Sequence, residues 1–245
     1  MAITRSFFKV TSNMRWAESS LKCFTREADK VIRLLRIAIE YNESHHDFVN
    51  VAGSSPLHWF QLKHGLCVGN SWKPNDVDIF CCNEIGASGS SFLAYVGEAL
   101  ARIKAAGYEV KDVSRWSNKY VSEESPVLTV RVKVQGIETA FSFIQQPLCR
   151  TVSDAVSQFD IDVCKVMCKV HSGTERTRPV LEADSAVNAA IRSQSASCKT
   201  FQFKEHVPSD FEVHLYEKTL LRMRKYADRG FTFTSYPKIV AENTE

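Results

Sequence analysis

The sequence predicts a mixed α/β (α+β) fold, with a β-sheet of about five or six strands flanked by helices and a helical C-terminal part. Two observations carry that reading. Short β-branched and aromatic runs bounded by turn residues alternate with longer stretches whose apolar side chains recur every three or four positions. Beyond about residue 176 the strand-like runs give way to helical spacing and polar loops. The chain therefore divides into a sheet domain over 1–175 and a helical subdomain over 176–245 packed on it.

Taken in order, Thr25 to Tyr41 sets Val31, Leu34, Leu35, Ala38 and Ile39 at helical spacing behind a threonine cap. Phe48 to Ala52 is a short strand ending at Gly53, and Pro56 to Leu66 a helix with proline in its first turn. Val77 to Cys82 is a strand, and Ser91 to Ala106 a helix stopped by Gly107. Tyr108 to Val113 is another strand. Val127 to Val134 and Ile137 to Gln145 flank Gln135-Gly136, the chemistry of a two-residue hairpin loop. Thr151 to Gln158 is a brief helix before a strand over Phe159 to Val170. A small helix follows at Ser185 to Ser193. The last helix, Asp210 to Arg229, opens with Ser209 and Glu212 as a capping box and stops at Gly230.

Composition narrows the function classes. The 245 residues are 44% hydrophobic and 24% charged, the balance of a chain that folds in water around a core. A net charge of +3 is too small to mark a nucleic-acid binder by itself. No apolar run approaches the roughly 20 residues of a membrane helix, so no membrane partner is expected. The N-terminal MAITRSFFKVTSNMRW has neither an apolar core nor a cleavage site of the secretory kind. Eight scattered cysteines without a C-x-x-C pair read as reduced thiols of a cytoplasmic or nuclear setting. Cys164, Cys168 and His171 lack the second ligand pair that a zinc site needs.

The chemistry sits in two repeated phrases. In Asp76-Val77-Asp78-Ile79-Phe80, strand alternation sends both carboxylates to one face and Val77 and Ile79 to the other. Two same-face carboxylates repel, and a divalent cation relieves that repulsion. Magnesium (or manganese) takes a few carboxylates and fills its shell with water and phosphate oxygens. Phe159-Asp160-Ile161-Asp162-Val163 repeats the pattern. If the two strands are neighbours, three or four carboxylates meet and can hold two metal ions. Upstream, Gly53-Ser54-Ser55 leads into a helix whose amide end suits a phosphate, with Gly53 allowing close approach. The milder readings are turn chemistry at Pro74-Asn75-Asp76, helix capping by the serines, and a wet strand face for Asp160 and Asp162.

Ala52-Gly53-Ser54, a helix, Asp76-Val77-Asp78-Ile79 and a later acid form a layout that resembles the polymerase-β-like nucleotidyltransferase superfamily. More narrowly it resembles nucleotidyltransferase-like proteins of large DNA viruses and some fungi and protists. Those carry phrases similar to Phe159-Asp160-Ile161-Asp162 and to Lys225-Tyr226…Arg229-Gly230-Phe231. The resemblance covers roughly Phe48 to Phe231. It implies a magnesium-dependent enzyme that moves a nucleoside monophosphate from a nucleoside triphosphate to an acceptor hydroxyl on an RNA end, a nucleotide or a protein. Asp76 and Asp78 would hold metal, with Asp160 as the third ligand, ahead of Asp162 and then Glu138. Gly53, Ser54 and Ser55 would bind the phosphates. The alternatives are a catalytically silent scaffold of the same fold and a nucleic-acid-binding accessory protein.

Lys218, Arg222, Lys225 and Arg229 recur at helical spacing on the last helix. The plain reading is a solvated face, and the functional one a basic wall of Lys218, Arg222 and Lys225 toward the nucleotide. Trp59, Trp72 and Trp116 read as packing residues, with base stacking as the alternative.

Overall fold

The computed structural model describes residues 22–39, 47–66, 72–118, 127–170, 180–199, 201–203, 210–237 and 239–241. In chain order these form α1 (Lys22–Ala38), β1 (Val49–Ala52), α2 (Ser54–Lys63), β2 (Asp76–Cys81), α3 (Asn83–Gly86) and α4 (Gly89–Ala105). There follow β3 (Val110–Asn118), β4 (Val127–Val134), β5 (Ala140–Gln145), α5 (Val152–Ser157), β6 (Met167–Lys169) and β7 (Val180–Glu182). The described chain closes with α6 (Ser185–Arg192), β8 (Ser195–Ala196), β9 (Phe201–Phe203), α7 (Asp210–Ala227), β10 (Thr232–Phe233) and β11 (Ile239–Ala241).

The fold is mixed α/β, built on a seven-stranded sheet in the order β3-β4-β5-β2-β1-β6-β7. Every neighbouring pair is antiparallel except β2 and β5. The sheet has one or two strands more than the sequence predicts, and the short edge strand β7 has no period long enough to read. The segment from Val180 onward holds α6 and α7 but also β7 and two parallel pairs, β8 with β10 and β9 with β11.

One sheet face makes the main core. Val49, Val51, Val77, Ile79, Val130, Val132, Phe141 and Phe143 pack there with Leu34 and Leu35 of α1 and Phe92, Val96, Ala99 and Ile103 of α4. Helix α1 owes its place to that apolar stripe, since Val31, Leu34, Leu35 and Ala38 are all buried. Helix α4 starts on Ser88, whose hydroxyl accepts the Ser91 amide, and ends before Gly107 at φ +84°. The opposite face carries a smaller cluster in which α5 lays Val152, Ala155 and Val156 over Ala52, Phe80 and Met167. Thr151 and Asp154 close a capping box at the start of α5.

Two expectations fail. The connection between β4 and β5 is longer than a two-residue loop. It runs from Gln135 to Thr139, because pairing resumes only at Val132 opposite Phe141. The predicted strand over Phe159 to Val170 is broken. Ile161 makes a single bridge to Cys198, Asp162 to Cys164 turn as a 3-10 helix, and only Met167–Lys169 join the sheet. Asp162 imposes the break, because its carboxylate accepts the next amide, Val163 N–H, at 2.7 Å. The Ser209–Glu212 capping box lies outside the described residues.

Candidate functional site

Strand β2 delivers what its alternation predicts. Val77 and Ile79 are buried in the main core, while Asp76 and Asp78 share the other face and are only partly covered. Among the described residues neither carboxylate accepts a hydrogen bond. Burial pushes the Asp78 carboxyl up to about 7, and the Asp76 charge pushes in the same direction. The cations of Lys225 and Arg131 work against both. A strained, half-desolvated acid pair of this kind is a recurrent mark of functional sites.

The glycine bend reaches the same place. Ala52 pairs with Asp78 across β1 and β2, so Gly53 leaves the sheet beside that carboxylate. Gly53 stands at φ +90°, and a Cβ built on it would lie 3.9 Å from Asp78 Oδ2 and 3.8 Å from the Phe159 ring. The bend is thus bordered by an acid on one side and an aromatic edge on the other. Its own N–H donates to Val166 O at 3.0 Å. Ser54 and Ser55 begin α2. Ser55 Oγ donates to the Asp76 carbonyl at 2.7 Å, which ties the helix end to the start of β2. Ser54 is buried, and among the described residues its hydroxyl makes no hydrogen bond. Ser54 and Ser55 amides open the helix, and Pro56 supplies none.

Helix α7 brings positive charge to the acids. Lys225 has its ammonium pKa lowered by burial and by Arg229, while Asp76 and Asp78 pull it back up. Arg229, 9% exposed, lies with its guanidinium carbon 3.8 Å from the Trp72 ring centroid and 4.8 Å from that of Tyr226. Trp72 is fixed from behind by its indole N–H, which donates to Gln61 Oε1 at 3.1 Å, and by His58, centroid to centroid 4.5 Å. This stack pins the end of α7 to the residues that lead into β2. Lys218, also on α7, is partly buried and belongs to the same stripe.

The second Asp phrase behaves differently. Asp160 does not join the Asp76–Asp78 pair as a third ligand in the described structure. Its Oδ2 accepts Thr219 Oγ1 at 2.5 Å and Arg222 Nε at 3.0 Å, and Arg222 Nη2 completes an ion pair. Arg222 is thereby tied to Asp160, with its side chain still partly exposed. Asp162 is likewise spent on structure, accepting Ser197 N–H at 2.8 Å and Ser197 Oγ at 2.7 Å. Glu138 lies exposed near Lys73 at 3.8 Å. No cluster of three His, Cys, Asp or Glu side chains able to hold a metal occurs among the described residues.

Register shows what takes the adjoining position instead. Ser142 on β5 pairs with Asp78, and Arg131 on β4 pairs with Ser142. Sequence reasoning passed over both, because nothing in either local pattern announces a partner two strands away. The six cysteines described as free, Cys81, Cys82, Cys149, Cys164, Cys168 and Cys198, are all buried. Burial pushes the thiols of Cys82 and Cys164 up to about 12. His171 lies outside the described residues. No described helix is long and apolar enough to cross a membrane. No family model matches this chain, and no curated protein matches it either.

Proposed function

We propose that this protein is a magnesium-dependent nucleotidyltransferase of the polymerase-β-like kind, taking a nucleoside triphosphate as donor. One observation supports the reading above all others: the Gly53 bend and the Asp78 carboxylate abut, with open amides and the free Ser54 hydroxyl on one side and two unpaired acids on the other. A polyphosphate with a divalent cation is the ligand that satisfies both halves together.

Asp76 and Asp78 fit one divalent cation, because two close carboxylates without a hydrogen-bond donor are relieved by a positive ion. Bound there, magnesium would neutralise phosphate charge. The chain's own residues do the remainder. Ser54 and the amides of Ser54 and Ser55 orient the phosphates, and Gly53 leaves room for them. Lys225 adds positive charge over the leaving pyrophosphate. The acceptor oxygen bonds to the α-phosphorus as the bond to pyrophosphate breaks, and the hydroxyl proton passes to the carboxylate pair. Such transfer relies on positioning and charge more than on covalent help from the protein.

Labelled nucleoside triphosphates incubated with magnesium or manganese and mixed RNA, nucleotide and protein acceptors test this. Label carried by the native chain and lost in Asp76→Asn/Asp78→Asn is the expected result. Equal labelling by that double variant would refute it. A second reading, a nucleotide-binding scaffold without transfer, gains support from Asp160 being held by Arg222 and from Ser142 standing beside Asp78. Heat stabilisation by triphosphate with magnesium, with no label transferred to any acceptor, selects that reading.

A further inference from the structure

The face that carries Asp76 and Asp78 continues across β5, β4 and β3, away from the bend. Pairing sets Asp78, Ser142, Arg131 and Ser114 in one row over four strands. At about 4.8 Å per strand that row is roughly 14 Å long. The next row on the same face runs Phe80, Ile144, Thr129 and Trp116. Helix α4 covers the other face, and α5 lies on this one over β1 and β2, with Ile144 of β5 against its cluster. Ser142 and Thr129 are buried, while Ser114 and Trp116 are exposed.

Two side chains on β3 and β4 are out of place in a merely solvated surface. Trp116 is 45% exposed, although an indole of this size is costly to leave in water. Arg131 has its Nε buried, with no hydrogen-bond partner among the described residues. It sits diagonally from Trp116, since Trp116 pairs with Thr129 and Ser114 with Arg131, a separation of about 7–8 Å. Ser114 and Lys133 are exposed beside them, and Asp112 answers Lys133 at 4.0 Å. An aromatic platform next to a guanidinium whose Nε has no partner among the described residues suits a ligand that repeats a flat ring and an anion. A single nucleic-acid strand has that repeat, and base stacking on a side chain requires bases free of a duplex.

We propose that single-stranded nucleic acid binds across β3 and β4, with a base on Trp116 and a phosphate on Arg131. The binding stands by itself. Its use as the acceptor strand rests on the transferase reading.

Fluorescence anisotropy of a labelled twelve-nucleotide oligouridylate, titrated with the full chain without nucleotide or metal, decides the matter. Trp116→Ala is expected to weaken binding about tenfold. Arg131→Gln is expected to weaken it and to lower the slope of log affinity against log salt by about 0.7. Lys104→Gln, exposed on α4 behind the sheet, serves as the control and leaves affinity unchanged. No binding by the native chain overturns the proposal. So does equal binding by Trp116→Ala, an equal loss in Lys104→Gln, or equal affinity for the duplex form. Circular dichroism checks each fold, and if Arg131→Gln unfolds, the exposed Trp116 decides alone. Oligonucleotide bound but never labelled leaves this inference standing and removes the transferase reading. Label transferred at the native rate by Trp116→Ala, with binding unaltered, does the reverse.

Discussion

Asp76-Val77-Asp78 and Asp160-Ile161-Asp162 are nearly the same words, and the molecule uses them in opposite ways. The first stays in a continuous strand, with its acids unpaired and its neighbours Lys225 and Arg131 near but not bonded. The second breaks its strand, and each acid is fully engaged: Asp160 by Thr219 and Arg222, Asp162 by Val163 and Ser197. The difference teaches that a carboxylate's role is set by the donors that reach it. A structural acid has its donors within the protein, and a binding acid is left without them.

The sharpest way to break the comparison is to remove one acid of each kind. Asp162→Ala strips acceptors from the Val163 and Ser197 amides, and should cost about 3 kcal/mol of stability in urea titrations. A loss below about 1 kcal/mol would show that Asp162 is not structural.

Asp78→Asn should act in the other direction, and pH exposes it. Burial, with the Asp76 charge beside it, pushes the Asp78 carboxyl from its ordinary 3.8 up to about 7 in the folded chain. Between those values the folded state holds the extra proton, so this group's contribution falls as pH rises from about 4 to about 7. The full penalty is present above about 7 and absent below about 3.8. Asp78→Asn removes it, so the variant should gain on the order of 4 kcal/mol over the native chain at pH 8 and nothing near pH 4. Thermal melts at both pH values measure the difference, and a variant equally destabilised at both would make Asp78 a structural acid after all.

The smallest effect is expected at the bend. Gly53→Ala meets only ordinary contacts, 3.8 Å to Phe159 and 3.9 Å to Asp78, so its cost is the positive φ. That is about 1 kcal/mol, or a melting temperature lower by about 3 °C. A fall in triphosphate affinity larger than that penalty places the ligand against the bend. Unchanged affinity moves it elsewhere.

Much of the fold was legible because its signals are local. Helix α1 shows its buried stripe, α4 its stop at Gly107, and β4 its limits at Val127 and Val134. The strand predicted through Asp160 failed because period-two alternation there is genuine, and what defeats it is the Asp162 carboxylate, which accepts the Val163 amide beside it and is held by Ser197, distant in sequence. Of the site, Gly53, Ser54, Asp76 and Asp78 could be named from order and spacing. Arg131 and Ser142 could not, because only strand register gives them a role, and Trp72, which the sequence offers for packing or base stacking, gains its stacked cation only from the fold. The bond between Asp160 and Arg222 was hidden for the same reason, its partner lying on α7, far along the chain.

The one parallel pairing within the seven-stranded sheet has a consequence for how the molecule is made. Strands β2 and β5 cannot zip together through a tight turn, and Lys225 arrives later still on α7. A chain still emerging from the ribosome would display both aspartates well before Ser142 and the lysine exist to flank them. The acids are therefore synthesised before the groups that flank them and become a site only once α7 has been made.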